Sequence, residues 1–116
     1  MDTPLTDETP MTREVVLDAS IATAAPVQRV ETRRIRMRAG LAAGAHVHNG
    51  PVVGNVLAGR VLFQVEGQES TILSPGDVFY EPADVVISHF DALDEDVTFL
   101  AYFPLTEGQS VELHMV

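Results

Sequence analysis

The stretch Gly40-Leu-Ala-Ala-Gly-Ala-His46-Val-His48-Asn-Gly-Pro-Val52-Val-Gly-Asn-Val-Leu-Ala-Gly59 carries most of what can be read from this chain. Alternate residues of a strand share a face, so His46 and His48 point the same way, about 7 Å apart along the chain and within reach of one metal ion. By itself the triplet describes a surface or core histidine pair equally well. Asn49-Gly50-Pro51 breaks the strand, Val52–Leu57 starts another, and Ala58-Gly59 leads to Arg60–Glu66. A two-residue link predicts a hairpin whose register follows by counting. Val56 then opposes Val61, Gly54 opposes Phe63 and Val52 opposes Val65, all facing inward, with Gln64 facing out. Gly54 leaves room opposite Phe63, for packing or for a ligand.

Outward from this stretch the same pattern repeats. Short runs rich in valine, isoleucine and phenylalanine predict strands at Glu14–Leu17, Val27–Arg38, Gly44–His48, Val52–Leu57, Arg60–Glu66, Ser70–Leu73, Asp77–Glu81, Val85–Phe90 and Val97–Phe103. Glu66-Gly-Gln, Ser74-Pro-Gly-Asp and Leu93-Asp-Glu-Asp separate them. Many short strands at this spacing predict an all-β sandwich or barrel. Residues 1–12, with Pro4, Pro10 and little apolar content, are expected to be a disordered tail. Residues 13–116 form one domain, since 116 residues make a single core. Met11 offers a second possible start.

Charge narrows the partners. Through Gly40 six acids balance six arginines, so the whole net charge of −10 falls after it, where Arg60 is the lone base. Such a field repels phosphate backbones and anionic lipid, so no nucleic acid or membrane partner is expected. No run of 18 apolar residues is present to cross a bilayer as a helix. Met1–Glu8 is acidic and polar, unlike a secretory signal, and cysteine is absent, so a cytoplasmic location is expected. Arg34, Arg36 and Arg38 alternate along the first long strand. They read either as an anion-binding strip or as strand residues paired with acids across the sheet.

The spacing of the opening stretch resembles the first motif of the cupin superfamily, G-x5-H-x-H-x3,4-E-x6-G, at Gly40, His46, His48, Val52 and Gly59. The second motif, G-x5-P-x-G-x2-H-x3-N, is matched in spacing at Gly76, Pro82, Asp84, Ile87 and Asp91. The resemblance covers roughly residues 30–103 and implies a single cupin-type jelly-roll β-barrel with a pocket at one mouth. It also implies a metal held by both histidines, the glutamate and the second-motif histidine. His46 and His48 carry over, whereas Val52 and Ile87 occupy the other two positions. His89, two residues past Ile87, shares its face on a regular strand and is the expected third ligand, with Asp91 positioned to hold a histidine N–H. Glu81, before Pro82 at a strand end, reads as a solvated rim charge, and His114 as a tail residue.

Two functional classes stay open. One is a small enzyme binding a divalent metal ion (zinc, nickel, iron or copper) through His46, His48 and His89, and acting on a small organic molecule in the barrel. The other is a non-catalytic cupin that binds a small ligand, or serves as a sensor or oligomer module, without metal. Histidines ligate metal in their neutral form, so affinity should fall in acid. Apolar residues in Glu14–Leu17 and Ser110–Val116 have no place inside a minimal barrel. They predict a homodimer in which an end segment covers a sheet edge.

Overall fold

The computed structural model describes residues 4–116, and all of its regular structure is β. Nine strands follow in order: β1 (Val27–Met37), β2 (His46–His48), β3 (Val52–Ala58), β4 (Val61–Val65), β5 (Thr71–Leu73), β6 (Val78–Glu81), β7 (Ile87–Ala92), β8 (Val97–Thr106) and β9 (Leu113–Met115). They make two antiparallel sheets, ordered β1-β8-β3-β6 and β5-β4-β7-β2-β9. Among the described residues no helix is long and apolar enough to cross a membrane. Residues 1–3 of the expected tail lie outside the described residues. From Pro4 to Pro26 no strand forms.

Only β4 and β5 are consecutive strands of one sheet; every other connection passes from one sheet to the other. The sheets therefore share one apolar layer. Phe79 and Phe99 from the first sheet interlock with Phe63 and Phe90 from the second, ring centroids 4.7–6.1 Å apart. Alternation along β8 shows the cause. Val97, Phe99, Ala101, Phe103 and Leu105 are buried, and the residues between them are partly exposed.

The Ala58-Gly59 link is a corner and not the expected hairpin. β3 pairs with β6 and β8, and β4 pairs with β5 and β7, so the two strands lie in different sheets. A two-residue link with a left-handed glycine serves either purpose, and counting cannot separate them. Gly59 has φ 78°, and a Cβ there would run into the backbone of Asp96 and Val97. The predicted facing survives, because alternation does not depend on the partner. Val52, Gly54, Val56, Val61 and Val65 are all buried. The space above Gly54 holds the Phe79 ring, its cross-strand partner, so that gap is packing.

Two further expectations change. Glu14–Leu17 forms no strand; Val15 and Val16 stay exposed beside a shallow groove bordered by Thr71–Leu73. Four residues without alternation present no buried face to hold a ladder. The arginines of β1 do not pair across the sheet either. Glu31 binds Arg33 and Arg29 of its own strand, at 2.6 and 3.6 Å, and no ion pair forms at Arg34, Arg36 or Arg38 among the described residues. Opposite Arg34 and Arg36 on β8 stand Leu100 and Thr98, which carry no charge, and Arg38 lies past the last register pair. Guanidinium groups held beside Glu31, first the hydrogen bond from Arg33 and then Arg29, keep its carboxyl below the usual range.

Candidate metal centre

Both histidines of β2 are buried, at 3% exposed for His46 and 8% for His48. The short strand lies between β7 and β9, with His46 opposite Ile87 on one side and Met115 on the other. Asn49 ties β9 in place. Its N–H donates to the Glu112 carbonyl at 3.2 Å, and its side-chain oxygen accepts from the Glu112 N–H at 3.0 Å. His46 Nδ1 donates to the Gly44 carbonyl at 2.6 Å, which leaves Nε2 without a proton and free to ligate. The two rings meet edge to face, centroids 5.0 Å apart.

The third member of the cluster is Glu81, not His89. Glu81 is 4% exposed, and its Oε2 lies 2.9 Å from His48 Nε2. Its place follows from two periodicities. Along β6, Phe79 points into the core, so Glu81 two residues on must do the same. Across the sheet, Glu81 is the register partner of Val52, the position where the family motif carries its glutamate. A carboxylate thus stands opposite that position, on a neighbouring strand of the same sheet. The Phe79–Glu81 alternation was the available signal, and the adjacent Pro82 concealed it by suggesting an exposed strand end.

His89 stands elsewhere because β7 is irregular. Gln64 pairs with His89 and Val65 with Ile87, so Ser88 is an extra residue that reverses the alternation. Ile87 and Phe90 therefore both face inward, and the His89 side chain is 47% exposed. Its Nδ1 lies 2.9 Å from Asp91 Oδ2, so Asp91 does hold a histidine, but one outside the cluster. His114 sits exposed on β9, its Nε2 3.6 Å from Glu112. At the second-motif glycine position, Asp84 has φ 60°, the left-handed conformation that glycine adopts without strain. Its N–H donates to the His48 carbonyl at 2.9 Å, so the turn holds a ligand strand.

Donor atoms of His46, His48 and Glu81 all lie within 4.8 Å of one another. Ligands about 2.0–2.2 Å from a common ion are at most about 4.4 Å apart, so small side-chain shifts close the set on one centre. The chemistry of the cluster also suits a cation. His48 Nδ1 is the buried side-chain atom without a hydrogen-bond partner among the described residues. Glu81 is a buried carboxylate whose one side-chain partner is an imidazole. Burial of such a group is costly without a matching charge.

A cavity of about 340 Å³ opens beside the cluster. Its walls include Ile35, Met37, Phe79, Phe90, Phe99 and Phe103; His46, His48, Glu81 and Arg36 supply the polar side chains.

Comparison with known proteins accords with this picture. The model of the cupin domain matches residues 33–103. No curated protein matches the sequence. Among solved structures, the DMSP lyase DddQ from Ruegeria pomeroyi DSS-3 superposes with a TM-score of 0.65 at 22% identity, over 75% of this chain and 43% of its own. A cupin-like protein from Thermotoga maritima MSB8 gives 0.63 at 24% identity, over 74% and 65%. An oxalate oxidase bound to the substrate analogue glycolate gives 0.65 at 19% identity, over 75% and 46%. The chain thus spans less than two thirds of the length of each, and at these identities the likeness is one of fold.

Proposed function

The chain belongs to the cupin family, and from that premise we propose that it holds a divalent metal ion on His46, His48 and Glu81 and acts on a small organic molecule in the adjoining cavity. The observation that carries this reading is the meeting of three buried donors, His46, His48 and Glu81, with ligand atoms all within 4.8 Å of one another. In this reading the two sheets form the jelly roll of the family, with the cavity at its mouth. Its neighbours in fold include enzymes that act on small organic molecules, a DMSP lyase and an oxalate oxidase among them.

Bound there, an ion would polarise a carbonyl or enolate oxygen, or activate water or dioxygen. Two nitrogens and one carboxylate with open positions suit ferrous iron, and zinc also accepts them. The chain's own residues do the rest. Gly44 fixes the His46 tautomer through its carbonyl. The proton shared between His48 Nε2 and Glu81 Oε2 must leave when both become ligands, so loading releases protons. Four phenylalanines give the space beside the centre an apolar wall.

Val52 and Ile87, apolar at two positions where the family motif carries ligands, favour a second reading. In it the same cavity binds a small molecule without metal. Metal content after dialysis against zinc, nickel or ferrous iron separates the two. Wild type and His89→Ala should each retain about one ion, and the His46→Ala, His48→Ala double variant none. Equal retention by wild type and double variant, or none in any protein, leaves only the second reading. A homodimer is part of the proposal, supported by exposed Met115 and Val116 at the C-terminal end of β9. Light scattering that gives a monomer of 12.6 kDa would remove it.

A further inference from the structure

We infer that the ligand of this cavity is a singly charged oxygen chelator on an apolar body, such as an enolate, hydroxamate or hydroxyketone carrying an alkyl or aryl group, and not a compact dianion. The inference rests on the metal reading above and adds the chemical class to it.

Charge and the cavity walls both select the ligand. A divalent ion with the single carboxylate of Glu81 leaves one positive charge in the centre, since both imidazoles bind as neutral groups. A monoanion balances that charge. A dianion would leave one uncompensated negative charge against phenylalanine and aliphatic walls that offer it no hydrogen-bond donor. Arg36 borders the cavity, yet it alternates with the inward Ile35 and Met37 and is itself exposed, so its charge stays in water. Arg33 is spent on Glu31, with its Nη2 and Nε at 2.6 and 2.7 Å from the same Oε2. The inner wall therefore offers a second anionic group no cation.

Space points the same way. The cavity, about 340 Å³, falls within the range of small-molecule pockets, roughly 300–1,000 Å³. It exceeds what a two-carbon diacid fills. Phe79, Phe90, Phe99 and Phe103 belong to the core, so they cannot swing aside to admit water around a polar ligand. Leu41 and Leu113 at the wall are 40% and 47% exposed, apolar surface that an apolar body would cover.

Hydroxamates of one head group and growing tail test this directly. Zinc-loaded protein is titrated calorimetrically with acetohydroxamate, butanohydroxamate, hexanohydroxamate and oxalate, and its zinc content is measured afterwards. Each methylene entering the cavity should tighten binding by up to about fourfold. Hexanohydroxamate should therefore bind at least tenfold tighter than acetohydroxamate, and oxalate no tighter than acetohydroxamate. A flat series, or oxalate as the tightest binder, with zinc retained, overturns the inference and leaves the metal centre standing. Protein that holds no zinc even before titration overturns both.

Discussion

Glu81→Gln separates what this residue does for the fold from what it does for an ion. The glutamine keeps the shape and an acceptor oxygen for the His48 N–H at 2.9 Å, while the buried charge is gone. A charge-assisted hydrogen bond becomes a neutral one, a loss of about 1 kcal/mol. For a domain of this size that lowers the melting temperature by about 4–8 °C. Deleting the group altogether, as in Glu81→Ala, strands a buried imidazole and should cost about 3–5 kcal/mol. Toward metal the order of severity disappears, because Gln and Ala both remove the one anionic donor. A hundredfold loss of zinc affinity, about 2.7 kcal/mol, is expected for each. Melting curves with and without zinc read both effects. At a zinc concentration one hundred times its dissociation constant, wild type gains about 2.7 kcal/mol, a rise of roughly 10 °C or more. The glutamine variant, now near its own dissociation constant, gains about 0.4 kcal/mol, a rise of about 2 °C. A glutamine variant with the full zinc-dependent rise would refute the assignment of Glu81 as a ligand. A loss above 3 kcal/mol without zinc would refute the account of its hydrogen bond.

Three other outcomes follow from the geometry. Because Val52 and Glu81 are register partners, Val52→Glu combined with Glu81→Val should recover zinc affinity to within about tenfold of wild type, measured by competition with a chromogenic chelator; recovery no better than Glu81→Val alone would refute the exchange. Gly59→Ala places a Cβ against Asp96 and Val97 at a positive φ and should destabilise by about 1–3 kcal/mol in urea, whereas the same change at Gly67, also at positive φ but with open space around it, should cost less. Glu31, held low by Arg33 and then Arg29, should titrate below an ordinary glutamate in carbon-detected NMR and return toward the ordinary range in Arg33→Met. Its folded-state pKa is depressed, so whatever stability the cluster adds is present above the ordinary carboxylate range and fades as pH falls through the lowered value.

The strands, the inward valines and the His46–His48 pair were legible because they depend on alternation and spacing inside one segment. Eight of the nine predicted strands overlap β1 to β8. What could not be read depends on which strand lies beside which. The Ala58-Gly59 corner looks like a hairpin until β8 is known to occupy the neighbouring edge. Ser88 shifts His89 outward only because β4 pairs on both sides of it. Glu81 becomes a site residue through its position opposite Val52, 29 positions earlier in the chain. In the sequence β9 reads as stray apolar residues; its role as a partner of β2 follows from the Asn49 hydrogen bonds.

That partnership orders events in time. β2 shares three register pairs with β9 and one with β7. Until residues 113–115 are made and docked, the segment bearing His46 and His48 has almost no ladder to hold it, and closing so long a loop is a slow step. The centre is therefore completed last. On the proposed reading, an ion would enter only after the two sheets have packed around four phenylalanines. On that reading, metal supply would set the occupancy of a protein whose sheets are already assembled.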